Sequence, residues 1–169
     1  MPSMEWIGRY RSVVAAMIRY ANVSQRLLTE HHYSSEHDVT ICPQEWQVLE
    51  YLLEHPDNTL CMAAIADRLG LVPSTFSKCT QALIGNGLVE RFRTPGNRKN
   101  VILRSTAKGR QFYHGEVDRF LAATYQPLFD GLSAFTDEQL SAFADTLNVH
   151  TDSLLPHKIG NTTLIKIEE

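Results

Sequence analysis

The sequence predicts a mainly helical fold with one small β element, and three observations carry that prediction. Apolar residues recur at three- and four-residue intervals toward both ends, at Tyr10, Val13, Val14, Met17, Ile18 and Ala21 and again at Phe112, Val117, Phe120 and Leu121, which is the period of amphipathic helices. Between them, two short helical runs at 62–69 and 73–85 are separated by so little chain that they must cross. Two β-prone runs at 88–93 and 101–104 then flank a turn-rich, basic tip, Thr94-Pro95-Gly96-Asn97-Arg98-Lys99-Asn100.

Taken in order, residues 6–28 read as one long amphipathic helix, longer than a small core needs. The excess suits a helix that reaches across another element or another subunit, with packing inside one monomer as the alternative. Residues 31–38 form a polar break. Pro43 can occupy the first turn of a helix that packs through Trp46, Leu49, Leu52 and Leu53 and stops at His55-Pro56-Asp57-Asn58. Thr59-Leu60 has the length of a very short strand. The next helix turns Ile65, Ala66 and Leu69 inward and leaves through Gly70, which is suited to left-handed backbone. Pro73 opens the following helix, with Phe76, Leu83 and Ile84 toward the core. After the basic hairpin, Thr106 can cap a helix carrying Phe112, Val117, Phe120, Leu121, Leu128 and Phe129, broken loosely at Pro127. Thr136 and Gln139 have the spacing of a reciprocal capping box ahead of Leu140, Phe143 and Leu147. From 157 onward no period is evident, which fits either a docking segment or a frayed end.

Charge points to the partner. Residues 59–110 hold nine Lys or Arg against only Asp67 and Glu90, a charge of +7; the whole chain is −3, so the remainder is −10. A basic segment in an acidic chain suits a phosphate-bearing ligand. Alone it would more often be an ordinary solvated surface, and its coincidence with the helix-helix-hairpin order of a winged helix-turn-helix is what favours nucleic acid. With 43% hydrophobic and 21% charged residues, most of the chain should be ordered. No run approaches the length of a membrane span, and Glu5 stands where a signal peptide would be basic, so a cytoplasmic protein without a membrane partner is expected. Cys42, Cys61 and Cys79 lack C-x-x-C spacing, which argues against a disulfide framework or zinc finger and for reduced thiols. His114, Glu116 and Asp118 are two residues apart and point in different directions on a helix, so no catalytic residue, enzymatic role or cofactor is expected. His31, His32 and His37 with Glu30 or Glu36 are either part of a metal site or unliganded polar residues, and no metal ligand is assigned.

Ile41-Cys42-Pro43-Gln44-Glu45-Trp46, Ile65-Ala66-Asp67-Arg68-Leu69, Ser74-Thr75-Phe76-Ser77-Lys78, Leu83 with Gly87-Leu88-Val89-Glu90-Arg91, Asn97-Arg98-Lys99, Leu103 and Thr106-Ala107-Lys108-Gly109 resemble, in order and spacing, the multiple antibiotic resistance regulator (MarR) family. The resemblance implies a single domain over 1–169 with a winged helix-turn-helix DNA-binding portion at 40–110 and long terminal dimerisation helices at 4–30 and 106–155. It also implies a homodimeric transcription regulator, typically a repressor, that binds a pseudo-palindromic operator in double-stranded DNA and responds to a small phenolic ligand, an oxidant or a metal. The family usually has Asp where this chain has Asn97 and often Arg where it has Lys99, so the acidic brace of the wing is missing here.

On that reading Ser74, Thr75, Ser77 and Lys78, with Gln81 one turn further, face the major groove; the small hydroxyls permit close approach, although capping and solvent exposure account for Ser74 equally well. Arg98 enters the minor groove, while Lys99 and Lys108 meet phosphates. Cys42 and Cys61 fall at helix N-cap positions, where amides can stabilise a thiolate; the alternative is tolerance of cysteine at a small partly buried site. Cys79 should face inward. Tyr10, Trp46 and Phe112 are candidate walls for a small aromatic effector, with ordinary core packing as the competing account. The alternative function is a winged-helix protein-interaction scaffold without an enzymatic role.

Overall fold

The computed structural model describes residues 4–28, 30–94, 97–119 and 123–155, with the side chains of 4–6, 94, 97–100 and 123 outside the description. The chain divides into two compact units, 1–120 and 121–169. In the first unit a 3-10 segment, Met4–Tyr10, leads into α1 (Arg11–Leu27). The expected single helix over 6–28 is therefore broken. Gly8 sits at φ 51°, ψ −132°, a conformation that no helix contains and that glycine adopts without a Cβ clash.

The polar break at 31–38 is a hairpin. β1 (His32–Ser34) pairs antiparallel with β2 (Val39–Ile41), Ser34 opposite Val39, and buries Ser34, Val39 and Ile41. Then come α2 (Pro43–Glu54), α3 (Met62–Arg68) and α4 (Pro73–Gly85). Pro43 and Pro73 stand in the first turns of α2 and α4, where a missing N–H costs nothing, and Gly70 leaves α3 at φ 65°. Thr59-Leu60 forms no strand; the Asn58 side chain takes both backbone groups of Leu60, giving to its carbonyl at 3.3 Å and receiving from its N–H at 3.0 Å. An Asx side chain has replaced the strand partner.

β3 (Val89–Thr94) and β4 (Asn97–Ser105) form the wing, paired antiparallel with Arg91 opposite Leu103 and an irregularity at Arg93/Thr94. The second strand starts at Asn97, earlier than the sequence suggested, so the backbone of Arg98 and Lys99 belongs to β4 and not to a loose tip. α5 (Ala107–Val117) is capped by Thr106, whose Oγ1 accepts the Gly109 N–H at 2.9 Å. Its first turn lies against the end of α4: Thr106 donates its N–H to the Leu88 carbonyl at 2.9 Å and its hydroxyl to the Gly87 carbonyl at 2.7 Å.

The core of this unit joins Trp46, Val48, Leu49 and Leu52 of α2, Ile65 and Ala66 of α3, Phe76 and Leu83 of α4, Leu88, Val89, Ile102 and Leu103 at the wing base, and Phe112 of α5. Fully burying a side chain such as Phe112 contributes about 1.5–3 kcal/mol. α1 is different. It has no buried residue, although it presents Val13, Val14, Ile18, Val23 and Leu27 at helical spacing.

The second unit contains α6 (Ala123–Leu132) and α7 (Asp137–Leu154). Pro127 was expected to break a helix, yet it lies inside α6. As the fifth residue of α6 it stands just past the four N–H groups that lack an intrahelical acceptor, so it removes one i→i−4 hydrogen bond. Phe120 and Leu121 lie outside the described residues. α7 begins on the expected capping box, with Thr136 N–H to Gln139 Oε1 at 3.0 Å and Gln139 N–H to Thr136 Oγ1 at 3.3 Å.

Candidate nucleic-acid interface

α3 and α4 are consecutive short helices linked by the turn around Gly70; they pack on each other, and α4 also packs on α2. On α4 the division of faces is sharp. Phe76, Cys79, Thr80 and Leu83 are buried, and Thr80 satisfies its hydroxyl on the Phe76 carbonyl at 2.7 Å. The other face carries Ser74, Lys78 and Gln81, all exposed, with Thr75 and Ser77 half-buried at its edge. Positions 74, 77/78 and 81 recur at three and four residues, so one helical face presents every α4 residue that the sequence nominated.

β3 brings further groups to that face. Ser77 and Gln81 share a depression of about 480 Å³ with Met62, Arg91, Arg93 and Val101. Arg91 and Arg93 are exposed and two residues apart, hence on one side of the strand. The sequence analysis assigned these two arginines no role; their shared i, i+2 side of the strand was the available signal. Arg98 and Lys99 keep their place on β4, but their side chains lie outside the described residues.

Lys108, the expected phosphate contact, also makes a bond within the chain. Its Nζ donates to the Asn86 carbonyl at 2.9 Å, at the C-terminal end of α4, where a cation complements the helix dipole. It fastens α5 to the far end of α4 from Ser74, and the exposed ammonium keeps further N–H donors for a phosphate. The three candidate effector walls are not brought together. Trp46 and Phe112 are core residues with ring centroids 5.7 Å apart, whereas Tyr10 is exposed in the N-terminal 3-10 segment and pairs with Arg9.

The cysteines separate as well. Cys42 and Cys61 are the N-cap residues of α2 and α3, as expected, but Cys61 is exposed and makes no cap hydrogen bond. Cys42 is buried, its backbone N–H donates to Glu45 Oε2 at 3.0 Å, and its sulfur meets the thiol of buried Cys79. That hydrogen bond from Cys79 and the amides at the start of α2 hold the Cys42 thiol down at about 6 against the opposing effect of burial, while Cys79 is pushed up by the same contact.

Glu116 was set aside as one of three residues that do not converge. His114 and Asp118 are indeed exposed, but Glu116 is buried and accepts from Ser34 Oγ at 2.6 Å and His37 Nδ1 at 3.3 Å. His32 approaches its other oxygen at 3.9 Å, and Arg119 bridges it to Glu36. Glu36, His37 and Glu116 bring donor atoms within 4.8 Å of one another, a spacing a cation could use; here Arg119 supplies the positive charge and Ser34 the hydrogen bond, so the group is a clamp between the β1–β2 hairpin and α5. Burial raises the Glu116 pKa, but Ser34, His37 and Arg119 outweigh it and the net shift is downward. A carboxylate with a depressed folded-state pKa stabilises the fold above its unfolded value, about 4.3, and that stability is lost as pH falls through the folded pKa. Glu116→Gln should therefore be less stable than wild type at pH 7, and urea unfolding at stepped pH should show the gap closing below about pH 4. A gap independent of pH would mean that the carboxylate charge contributes nothing.

No helix among the described residues is long and apolar enough to cross a membrane. No curated protein matches the chain. Solved structures do. The transcriptional regulator BldR from Sulfolobus solfataricus is similar with TM-score 0.61 at 19% identity, covering 91% of this chain and 100% of that one. A MarR-family transcriptional regulator from Silicibacter pomeroyi gives 0.59 at 20%, covering 93% and 99%. The S. aureus MepR–DNA complex gives 0.56 at 19%, covering 90% and 100%. At such identities the likeness is one of fold. Residues 41–101, which span α2, α3, α4 and most of the wing, match the model of the MarR family, so this segment is similar to the winged helix-turn-helix of that family.

Proposed function

We propose that this protein is a homodimeric, sequence-specific DNA-binding transcription regulator of the cytoplasm, a repressor without an enzymatic role, whose operator binding is modulated by a small aromatic ligand or by thiol oxidation. The observation that carries the reading is the single surface formed by Ser77 and Gln81 of α4 with Arg91 and Arg93 of β3, inside the segment of charge +7. Small hydroxyls and an amide on a helix suit base edges, and flanking guanidinium groups suit phosphates. The similar fold of a MepR–DNA complex supports the groove assignment, the similar structure of PcaV with its natural ligand supports a small-molecule effector, and that of CouR bound to p-coumaroyl-CoA supports an aromatic one.

In this reading α4 enters the major groove through Ser74, Thr75, Ser77, Lys78 and Gln81, Arg98 of β4 reaches the minor groove, and Lys99, Lys108, Arg91 and Arg93 meet phosphates. Residues 40–110 form the DNA-binding portion, and the helices at 4–30 and 106–155 hold two copies together on a pseudo-palindrome. Genome-wide recovery of bound DNA followed by footprinting would supply the operator. On that operator Thr75→Ala or Ser77→Ala should lower specific affinity several-fold while leaving scrambled duplex binding alone; Arg91→Ala should instead reduce the salt slope by about one for both duplexes. Folded variants whose affinity, specificity and salt slope all match wild type would remove this surface. A chain with no duplex affinity that instead retains a foreign protein would favour the scaffold.

A further inference from the structure

The wing does not close against the helix pair along its whole length. α4 packs on β3 and α3 on β4; at the base of the hairpin Val89 and Leu103 are buried, while further out Arg91 and Arg93 are exposed and the depression of about 480 Å³ opens. Ser77 and Gln81 line it from α4, Arg91 and Arg93 from β3, and half-buried Met62 of α3 and Val101 of β4 add apolar surface. We propose that this depression seats a single DNA strand, the sugar-phosphate backbone that divides the major groove from the minor groove, with Arg91 and Arg93 on successive phosphates and the deoxyribose between those phosphates against Met62 and Val101. The proposal rests on the reading of the protein as a DNA-binding regulator, and it adds to that reading a strand and a register.

Duplex geometry requires a strand at this place. Neighbouring major and minor grooves are divided by one backbone, so a protein with α4 in the first and Arg98 of β4 in the second must let that backbone pass between α4 and the hairpin. The depression lies there. Its size suits a length of chain more than a lone ion, since 480 Å³ compares with about 30 Å³ for one water. The charges fit as well. No carboxylate is among the described residues that line it, and neither Arg91 nor Arg93 forms an ion pair with another described residue. Two like charges held side by side without an acid between them are relieved by an anion that touches both, and the planar guanidinium matches a phosphate with two parallel N–H donors.

The spacing specifies how the strand lies. Side chains two apart on a β-strand share a face, so Arg91 and Arg93 leave the backbone about 7 Å from each other, while Glu90 between them points to the opposite face. Val101 is the cross-strand partner of Arg93 and so stands on the face of the arginines. Successive phosphates of one DNA strand rise about 3.4 Å and turn by about a tenth of a helical turn, which also sets them about 7 Å apart. The two repeats agree. What the backbone offers between two phosphates is a deoxyribose with C–H surface, and Met62 and Val101 are the apolar groups of the lining that can cover it. The seat therefore makes two kinds of contact with one strand: the arginine contacts release counterions and depend on salt, and the apolar contact does not. Neither reads a base, so both hold the register in which α4 meets base edges.

The test is a methylphosphonate scan of the footprinted operator with the full chain. Each duplex carries one neutral methylphosphonate in place of one phosphate of a half-site, and its affinity is measured for wild type, Arg91→Ala and Arg93→Ala. Wild type should lose about tenfold at two adjacent positions of one strand. Arg91→Ala should be indifferent to the replacement at one of the two and keep the loss at the other, and Arg93→Ala should show the reverse. Each variant is compared with itself on the unmodified duplex, so a general weakening cancels; Arg91→Gln and Arg93→Gln carry the same comparison where an alanine variant fails to fold. Met62→Ala should weaken operator and scrambled duplex alike by several-fold at an unchanged salt slope, and Met62→Leu should restore both. Arginines that couple to phosphates on opposite strands, to phosphates with another between them, or to none would overturn the proposal. So would a folded Met62→Ala protein that binds as wild type or alters the salt slope. Wild type that binds no duplex would sink the regulator reading, whereas wild type that binds its operator with a phosphate map indifferent to Arg91 and Arg93 would sink only the seat.

Discussion

Gly109→Ala should destabilise the protein more than any other single-methyl change in the winged unit, with a loss of about 3 kcal/mol and a fall in Tm of roughly 6–12 °C. Gly109 is in the first turn of α5, and a Cβ built there would collide with the carbonyl oxygen of Leu88 while lying 3.2 Å from its carbonyl carbon and 3.4 Å from Leu49 Cδ1. The neighbour is backbone and cannot rotate away. That carbonyl also accepts the Thr106 N–H, so moving α5 outward to admit the methyl would stretch the bonds that tie the start of α5 to Gly87 and Leu88. The control is Gly131→Ala in α6, where a Cβ meets nothing within 4 Å and helix propensity alone should add about 0.5–1 kcal/mol. Thermal unfolding followed by circular dichroism at one fixed protein concentration checks both. A Gly109→Ala protein that melts with wild type would show that α5 does not approach the wing base as closely as described.

Which parts of this architecture were legible beforehand follows from the range of the forces involved. Pro43, Pro73, Gly70, Thr106 and the Thr136/Gln139 box act within four residues of themselves, and each stands where local chemistry placed it. The exposed face of α4 was readable for the same reason, since helical spacing alone puts Ser74, Lys78 and Gln81 on one side. The β1–β2 hairpin was not, because three-residue strands carry too short an alternation to stand out from a polar run, and their pairing is secured by distant groups: the hydroxyl of Ser34 goes to Glu116, 82 residues away. Cys42 was recognised as an N-cap, a local property, but its contact with Cys79 depends on how α4 crosses α2. The bond from Lys108 to the Asn86 carbonyl was out of reach of the sequence for the same reason, because it depends on how the start of α5 meets the end of α4. The break at Gly8 was overlooked because the hydrophobic period runs straight through it, and periodicity does not register one glycine at positive φ.

Val14→Asp should convert a dimer into monomers and lower affinity for a two-half-site operator by about 100-fold or more, the largest effect on DNA binding expected of any substitution outside the reading surface. α1 is 17 residues long and amphipathic, yet none of its residues is buried; Ile18 is 58% exposed and Tyr20 67%. An apolar stripe of that length left in water forgoes about 25 cal/mol for each Å² it could cover, and a second copy of the same helix offers a self-complementary surface. A carboxylate at Val14, 37% exposed and in the middle of the stripe, would have to be desolvated in such an interface without a partner. Two reading heads held by one dimer bind as a linked pair, so losing the linkage leaves each with its half-site affinity and an unchanged salt dependence per protomer. Light scattering with operator titration distinguishes the outcomes, and thermal unfolding checks that the α2–α5 core persists. Wild type that remains monomeric at micromolar concentration while binding the full operator tightly would reject dimerisation as the source of affinity. So would a monomeric Val14→Asp protein with wild-type affinity, because the two half-sites would then be read without any coupling between chains.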